Sequence, residues 1–310
     1  MNDHHNNIIF VPYAELKGAV SGANISNKVD RQSVYLQNCC VSLISAKKNN
    51  NCDVALVTNI EVPDPYKTLL IDNGVLIMTY DFDRFLFDQN YRWKLAFYKL
   101  CALSHIVAET QYDNYAYLDT DVFIQGSFDN VWSECKHNIL LYDINDGLQV
   151  ENYRIFLDEV NKFGCENAFI THYGGEFFAA NRENALIFID KCAGIYNEMV
   201  AKCFETTKCD EFITSIAAAS LRNVIKNAGA YIFRFWTGAG FRYISTRYAY
   251  NPVVVLHVPD EKNRGLLKIY KKYISKNKMP KEKTVYSIFR FEKIPINEVV
   301  KMRMKKVIKR

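Results

Sequence analysis

The chain has 310 residues, of which 49% are hydrophobic and 14% aromatic, enough to bury a substantial core in one or two domains. No stretch has the roughly 20 uncharged apolar residues that a membrane span requires. The first ten residues also lack the basic and then apolar layout of a signal peptide. We therefore expect a globular protein that stays in the cytoplasm.

The formal net charge of +5 is distributed unevenly along the chain. Residues 262–310 hold 17 Lys and Arg against 3 Asp and Glu, whereas the preceding 261 residues hold 22 against 31. This asymmetry separates an acidic body, residues 1–260, from a basic C-terminal extension, residues 261–310.

The chain has nine cysteines, an odd number, and no C-x-x-C spacing. A zinc site needs clustered ligands, and apart from the adjacent Cys39 and Cys40 only Cys203 and Cys209 lie near each other in the sequence, without a partner histidine. The pattern predicts free thiols in a reducing compartment.

Strands and helices alternate through the first half of the chain. Apolar runs predict strands at residues 7–13, 52–59, 74–80 and 114–119, and periodic runs predict helices near 30–48, after Pro63 and Pro65, and at 91–109. Such alternation is typical of a largely parallel sheet with helices on both faces.

The second half continues with both element types. We predict strands at 138–144, within 172–184, at 230–236 and at 253–258, and helices at 150–163, 182–203 and 209–221. Ligands of open α/β sheets bind outside the carboxyl ends of the strands.

Two acids, Asp119 and Asp121, end the fourth predicted strand in the segment YAYLDTDVFI, residues 115–124. Side chains of extended backbone alternate, so both carboxylates are predicted to project to one side and Thr120 to the other. Carboxylate oxygens suit Mg²⁺ or Mn²⁺, and an unpaired buried pair would be costly. The alternative is a turn in which Asp caps the following backbone groups.

The segment YDNYAYLDTDVFI resembles the metal-binding segment of GT-A fold glycosyltransferases, which has an apolar strand, then D-x-D, then an apolar residue. Over residues 7–258 the resemblance implies a Rossmann-like, mostly parallel central sheet flanked by helices. Residues 1–260 would then be the catalytic domain, followed by a basic helical extension. It also implies Mn²⁺ or Mg²⁺, a nucleotide-sugar donor such as a UDP-sugar, and a glycan or lipid-linked glycan acceptor.

Two later segments are similar to retaining enzymes of the blood-group-transferase type. YGGEFFAANREN, residues 173–184, resembles their Gly-Gly-x-Phe-Phe stretch, which lines the sugar and acceptor site. Glu176 in this stretch is then a candidate catalytic residue that bonds a sugar hydroxyl, or alternatively an acid held by a structural hydrogen bond. KCDEFITS, residues 208–215, resembles the helix start at which an acidic pair, here Asp210 and Glu211, approaches the anomeric carbon. The alternative is that the two acids only supply the negative charge that the helix dipole favours in a first turn. The resemblance favours retention, with inversion by a general base as the alternative.

The segment VVVLHVPDEK, residues 253–262, is similar to the C-terminal His-x-x-Gly-x-x-Lys of glycogenin-like enzymes. There the histidine is a metal ligand and the lysine contacts the diphosphate, which implies these roles for His257 and Lys262. The match is imperfect, because Asp260 replaces the glycine and Lys262 follows His257 by five residues instead of six.

The resemblance places the metal on Asp121 and His257, with Asp119 reaching the ribose or a metal-bound water. Arg92 and Lys99, on the helix before D-x-D, would contact donor sugar or phosphate, or else be solvated cations on its outer face. Tyr13 would stack on the base, or serve as an ordinary tyrosine at the edge of the core.

The basic extension predicts a surface interaction. Residues 296–308 collect apolar side chains on one helical side and cations on the rest, as in helices that bind anionic membranes. We therefore expect docking at the inner membrane face, or alternatively a solvated helix pair. No recognisable nucleic-acid-binding fold is present in the extension, so nucleic acid is not an expected partner.

Two other functions remain open on the sequence. A sugar nucleotidyltransferase also needs carboxylates and Mg²⁺, but the segment PYAELKGAVSG, residues 12–22, is not the glycine-rich phosphate loop typical of that class. A non-catalytic carbohydrate-binding protein remains the second alternative, since fold analogy by itself does not establish activity.

Overall fold

The structure, a computed structural model, describes residues 6–16, 30–87, 91, 93–144, 150–165, 170–238, 253–291 and 300. The strands are β1 (Asn7–Tyr13), β2 (Asp53–Thr58), β3 (Leu76–Thr79), β4 (Asn114–Leu118), β5 (Val122–Ile124), β6 (Ile139–Asp143), β7 (Tyr173–Asn181), β8 (Ile225–Asn227), β9 (Ile232–Arg234) and β10 (Val255–His257).

The helices are α1 (Arg31–Asn49), α2 (Tyr66–Asp72), α3 (Tyr98–Glu109), α4 (Asp129–Cys135), α5 (Val150–Phe163), α6 (Arg182–Ala201), α7 (Asp210–Ser220), α8 (Gly265–Lys276) and α9 (Glu282–Phe289). Polar side chains cap the N-termini of two of these helices. Asp30 accepts a hydrogen bond from the backbone N–H of Ser33 at the start of α1, and Asn181 accepts one from that of Asn184 at the start of α6.

Seven strands form the central sheet in the order β3, β2, β1, β4, β7, β6, β8. The pairs among β3, β2, β1 and β4 are parallel, as is β6 with β8, whereas β7 runs antiparallel to both of its neighbours. The predicted α/β fold with a mostly parallel sheet is confirmed. The short strand β8 was not predicted.

The sheet is buried on both faces. In β1, Ile8 and Phe10 belong to one hydrophobic core, and Ile9 and Val11 belong to the other. Helices α1, α4, α8 and α9 cover one face, and α3, α5, α6 and α7 cover the other. Because both faces are covered, β1 has a continuous apolar run instead of the alternation of a half-exposed strand.

A second, three-stranded sheet was not predicted. Its order is β5, β10, β9, with β10 antiparallel to β5 and parallel to β9. Strands β9 and β10 lie within the strands predicted at 230–236 and 253–258, whereas β5, with three residues, is too short for a periodic signal. The pairing of the three strands was not predicted. This sheet joins the segment after the D-x-D acids to the late segment that contains His257.

The described part of the basic extension packs on the body. Helix α8 buries Leu266, Ile269 and Tyr270 against α1, and Tyr273 donates a hydrogen bond to Asn73 Oδ1. Its lysines face outward, as expected for an amphipathic helix. Apart from residue 300, the helix predicted at 296–308 lies outside the described residues. No helix in the described ranges is long and apolar enough to cross a membrane.

Candidate active site

The two acids of D-x-D lie in a turn between two strands. Strand β4 ends at Leu118 and β5 begins at Val122, and Asp119 Oδ1 accepts a hydrogen bond from the backbone N–H of Thr120 at 2.9 Å. The backbone is therefore not extended at these residues, so the predicted alternation of side chains along a strand is wrong. The turn, and not the period of a strand, brings the two carboxylates together. Ligand atoms of Asp119, Asp121 and His257 nevertheless all lie within 4.8 Å of one another.

Strand register brings the histidine to the acids. His257 pairs with Val122 across β10 and β5, and Val258 N–H donates to the backbone oxygen of Asp121 at 3.0 Å. His257 Nε2 then lies 3.3 Å from Asp121 Oδ2. More than 130 residues separate the two in sequence, so only the small sheet brings them together.

The carboxylate of Asp121 fits a cation site. It is 0% exposed, and neither of its oxygens accepts a properly directed hydrogen bond from the described residues. Lys262 Nζ lies 2.8 Å from Oδ2 as an ion pair. Burial raises the pKa of Asp121, but Lys262 and His257 outweigh it and hold the pKa below its usual range. Two carboxylates and an imidazole could hold a divalent cation here.

Helix α1 holds the turn that carries the acids. The Ser42 hydroxyl, fully buried, donates to the backbone oxygens of Thr120 at 2.7 Å and of Val122 at 2.8 Å, the carbonyls on either side of Asp121. One helical turn later, Ser45 Oγ accepts from Ile124 N–H at 3.1 Å. A polar stripe on α1 therefore fixes β5 and the turn before it.

If the cluster holds a divalent cation, we expect Ser42→Ala to weaken its binding, with Mn²⁺ as the probe. The same change should lower the free energy of unfolding by about 1–3 kcal/mol, because two buried carbonyls lose their donor. Calorimetric Mn²⁺ titration and urea unfolding measure the two effects.

The matched control is Ser45→Ala, which also removes a buried hydroxyl from α1 but touches β5 beyond the acids. It should lower stability similarly and leave Mn²⁺ affinity unchanged. Equal losses of affinity in both variants would show that Ser42 has no special role at the turn.

An acid and an arginine lie next to this cluster. The pairing of β4 with β7 sets Leu118 opposite Phe177, and Asp119 N–H donates to the backbone oxygen of Glu176 at 3.1 Å. Glu176 receives two hydrogen bonds from Arg234, from Nε and Nη2, each at 2.6 Å. Although burial raises the pKa of Glu176, Arg234 and His257 lower it further, so this carboxylate is ionised.

Arg234 was not singled out from the sequence. It pairs with His257 in the small sheet, which places it between Glu176 and Glu211. The sequence feature that could have identified Arg234 is its position as a lone cation in the otherwise apolar segment Ile232 to Phe235. A charge in a buried strand needs a partner, which makes such a residue a candidate for a site.

Glu211 is held by two cationic or polar side chains. Its Oε2 lies 3.0 Å from His172 Nε2 and its Oε1 lies 3.4 Å from Arg234 Nη2. His172 stacks on Phe156 with ring centroids 4.4 Å apart, which fixes the imidazole. Burial raises the pKa of Glu211, but His172 and Arg234 lower it overall. Its side chain keeps 20% exposure, toward the cleft.

The other acid of the pair, Asp210, contacts Lys99. Lys99 Nζ lies 3.1 Å from Asp210 Oδ2 and donates to the backbone oxygen of Gly175 at 3.0 Å. Lys99 is 14% exposed, so it is not a solvated cation on the outer face of its helix. Burial raises the pKa of Asp210 to about 6 despite Lys99. Burial lowers the pKa of Lys99, but Asp210 and Asp119 raise it well above its usual value.

The glycine pair makes room for these charges. A Cβ on Gly174 would lie 1.9 Å from Glu176 Oε2, and a Cβ on Gly175 would lie 2.2 Å from Asp210 Oδ2. Neither distance is sterically possible. The two glycines therefore allow both carboxylates to lie directly against the β7 backbone.

A cleft of about 440 Å³ opens over these groups. Asp121 and His257 are buried at its edge, in contact with the lining residues Lys262 and Glu176. Arg92 lies outside the described residues. The residues predicted from the sequence that line this cleft are Tyr13, Lys99, Asp119, Glu176, Asp210, Glu211 and Lys262.

Tyr13 ends β1 at one side of the cleft. Its ring packs against Tyr35 with centroids 5.8 Å apart, and its hydroxyl donates to Glu15. The two rings form an aromatic wall of the cleft.

Comparison with solved structures finds glycosyltransferases. The galactosyltransferase LgtC, in complex with donor and acceptor sugar analogs, matches with a TM-score of 0.55 and 15% identity over 89% of this chain and 98% of that chain. Mouse xyloside xylosyltransferase 1, in its apo form, matches with a TM-score of 0.50 and 8% identity over 80% of this chain and 96% of that chain. No family model and no curated protein matches the sequence.

These matches establish the fold of the chain. Nearly the whole of each matched chain is covered, and both have the architecture described above. The predicted GT-A fold is confirmed. At such low identity the comparison carries no residue roles, which depend on the geometry of the cleft.

Proposed function

We propose that the chain is a metal-dependent glycosyltransferase that moves a hexose from a nucleotide-diphosphate donor to a glycan or lipid-linked glycan acceptor. The observation that carries this proposal is the meeting of the Asp119, Asp121 and His257 cluster with two paired acids in one cleft. A divalent cation beside acids that can hold and stabilise a sugar is what transfer from a nucleotide-sugar requires.

Asp119, Asp121 and His257 would hold the cation, Mn²⁺ or Mg²⁺. When bound, the ion supplies Lewis-acid neutralisation of charge on the leaving diphosphate. Glu176 Oε1 accepts a hydrogen bond from His257 Nδ1 at 3.3 Å, which orients the ring so that Nε2 faces Asp121. In this proposal Glu176 acts through His257 and Arg234, as a positioning residue.

Lys262 contributes the fixed positive charge of the donor site. It lines the cleft, and Asp121 and Asp119 hold its pKa above the usual value despite burial, so the ammonium stays charged. A permanent cation at this position can pair with a diphosphate oxygen. The aromatic wall of Tyr13 and Tyr35 offers a stacking surface for the base of the nucleotide. We propose uracil as this base, in line with the UDP-sugar donor expected from the sequence.

Lys99 and Asp210 would bind hydroxyl groups of the donor sugar. A sugar hydroxyl both donates and accepts, and these side chains offer one donor and one acceptor 3.1 Å apart. Neither oxygen of Asp210 accepts a directed hydrogen bond from the described residues, so this buried acid has capacity to accept from a ligand.

Glu211 would face the reacting carbon. It is the more exposed of the two acids, and His172 and Arg234 keep it ionised. A carboxylate there can displace the diphosphate from the anomeric carbon and then be displaced by the acceptor hydroxyl, and these two inversions give retention. Alternatively, it can stabilise the positive charge that develops as the bond to the diphosphate breaks, with retention if the acceptor enters on the face that the diphosphate leaves. NMR assignment of the product's anomeric configuration tests this. An inverted product would assign Glu211 the role of general base instead.

Donor use is expected to depend on the ionisation of Asp210. Because its pKa is about 6, kcat/KM for the donor should fall by about tenfold per pH unit below pH 6, as the carboxylate is neutralised and its pairing with Lys99 is lost. The measurement is a pH profile of initial rates at low donor concentration.

The control is Asp210→Asn, whose kcat/KM should be low at every pH and should not change near pH 6.

The pH dependence of stability is an independent test of the raised pKa of Asp210. The folded pKa lies above the unfolded value, so the contribution of Asp210 to the free energy of unfolding should fall as the pH rises from about 4 to 6. The wild type should therefore lose stability relative to Asp210→Asn over this range, and a constant difference between the two proteins would contradict the raised pKa of Asp210.

A panel of nucleotide-sugars tests the function as a whole. We expect one donor to be hydrolysed slowly in the presence of Mn²⁺, and to raise the melting temperature only with the metal present. Release of pyrophosphate from a sugar phosphate and a nucleoside triphosphate would favour a nucleotidyltransferase. No response to any donor would favour a non-catalytic carbohydrate-binding protein.

The basic extension suggests that the enzyme binds its acceptor at a membrane surface. Lys271, Lys272 and Lys276 are exposed on α8 while its apolar face is used against the body. We include in the proposal that this surface docks on anionic lipid at the inner membrane face, next to a lipid-linked acceptor. Co-sedimentation with liposomes should rise with anionic lipid content, and indifference to that content would contradict docking.

A further inference from the structure

A second cluster of metal-binding side chains lies outside the cleft. Cys101 and His105 are one helical turn apart on α3, and Asp83 approaches them from the loop after β3. Their ligand atoms, a thiol sulfur, an imidazole nitrogen and a carboxylate oxygen, all lie within 4.8 Å of one another. Cys101 and Lys99 are two positions apart on α3, so they face roughly opposite directions on the helix.

The three groups already point at a common centre. Asp83 Oδ1 lies 2.7 Å from His105 Nε2 and 3.7 Å from Cys101 Sγ. The carboxylate is the solvent side of the cluster, with a side-chain exposure of 54%, whereas Cys101 and His105 are buried. An ion could therefore enter past Asp83, and a water could complete its coordination.

The imidazole is held from behind as the histidines of metal sites are. His105 Nδ1 lies 3.1 Å from Glu109 Oε1, and the ring stacks on Tyr80 with centroids 5.1 Å apart and an angle of 5°. Metal-bound histidines commonly donate their second nitrogen to a carboxylate, which fixes the tautomer and ring orientation. With Nδ1 protonated toward Glu109, the lone pair of Nε2 faces the cluster.

We propose that Asp83, Cys101 and His105 form a zinc site, separate from the cation site of the cleft. The ligand atoms indicate which metal binds, because thiolate and imidazole suit Zn²⁺ while the oxygen-rich cleft suits Mn²⁺ or Mg²⁺. On binding, the S–H bond of Cys101 breaks as the sulfur coordinates zinc, and the proton passes to solvent.

Without zinc, the same residues have a complete set of hydrogen bonds. The ring nitrogens of His105 lie within hydrogen-bonding distance of Asp83 and Glu109, and the Cys101 thiol donates to the backbone oxygen of Asp81 at 3.4 Å. That arrangement accounts for the two acids but gives the sulfur no role beyond a weak hydrogen bond. Zinc uses all three groups, and the two arrangements predict different outcomes on metal addition.

A zinc ion here would tie the loop after β3 to α3. That helix carries Lys99 on its cleft side, and the turn before it supplies Trp93, Leu95 and Ala96 to the cleft wall. The metal would therefore act as a structural clip that stabilises one wall of the cleft from outside.

The test uses the full-length protein stripped of metal and titrated with ZnCl₂ in the calorimeter, with proton release and the melting temperature followed in parallel. We expect one equivalent of tightly bound zinc, release of protons, and a rise in melting temperature. Cys101→Ser and His105→Gln should each weaken this binding by at least about tenfold.

Two controls separate this site from the others. Cys203→Ser removes an exposed thiol and should bind zinc as the wild type does. Asp121→Asn removes the cleft cation site and should also retain the zinc equivalent, so failure of the proposed function leaves this result unaffected.

Cobalt gives a readout that does not require the substituted proteins to fold. Co²⁺ bound at this site should show the near-ultraviolet charge-transfer band of a thiolate ligand, which the cleft ligands do not give because they contain no sulfur. Absence of that band in the wild type, or zinc binding of wild-type strength in Cys101→Ser, would overturn the proposal.

Discussion

Replacing Asp121 with Asn is expected to reduce metal-dependent sugar transfer by about 10³-fold. Among the residues that the structure describes, this buried carboxylate is the one acid within ion-pair distance of both His257 and Lys262. Asn keeps the volume but loses the charge with which a divalent cation is held. A loss of about 4 kcal/mol of transition-state stabilisation corresponds to that factor.

Three measurements make this result specific. The circular dichroism spectrum should be retained, because the substitution is nearly isosteric. Mn²⁺ with nucleoside diphosphate should raise the melting temperature of the wild type and not that of Asp121→Asn. The control Asp190→Asn changes an exposed acid on α6 and should leave both activity and the metal effect unchanged. Full metal-dependent transfer by Asp121→Asn would refute the proposed cation site.

Replacing Gly175 with Ala is expected to cost about 10²-fold in kcat/KM for the donor while the fold is kept. The new Cβ would be 2.2 Å from Asp210 Oδ2 and 2.7 Å from Lys99 Nζ. Both are ends of side chains, which can move away without displacing the backbone. A displacement of about 1 Å in a group that positions substrate is enough for such a loss.

Gly194→Ala is the matched control for this variant. Gly194 lies on α6, where an added Cβ meets nothing within 4 Å. That substitution should raise the free energy of unfolding by about 0.5–1 kcal/mol, because Ala is the better helix former, with no effect on activity. If Gly175→Ala were fully active, the pairing of Lys99 with Asp210 could not be what holds the donor.

Local pattern was sufficient for most elements. The apolar runs of β1, β2, β4 and β6 and the periodic runs of α1 and α6 were predicted within a few residues. The D-x-D pair stands out in the sequence because two acids interrupt an apolar run, whereas the glycine pair is identified through its resemblance to a family segment.

Contacts between distant segments explain what was missed. Strands β9 and β10 were predicted, but β5 and the pairing of the three were not, and it is their register that sets Arg234 beside His257 and His257 beside Val122. Lys99 could not be assigned to the cleft or to solvent from its helix alone, because the direction it faces depends on where α7 packs. Ser42 looks like an ordinary polar residue of a helix until β5 lies against it.

The cluster of Asp83, Cys101 and His105 shows the same limit. The spacing of Cys101 and His105 was visible as one helical turn, but only two ligands are local to it. The third comes from a loop that the sheet places beside α3. An expectation drawn from cysteine spacing could therefore not detect it.

The amino-acid sequence by itself determined the order of strands and helices, the acids after the fourth strand, the glycine pair and the charge asymmetry of the chain. These are local properties, set by hydrophobic periodicity and residue chemistry over short windows. Only the tertiary structure decided which charges meet, because ion pairs such as those of Asp121 with Lys262 and Glu176 with Arg234 join segments far apart in the chain. Strand register and helix packing set those distances, and no single segment contains that information.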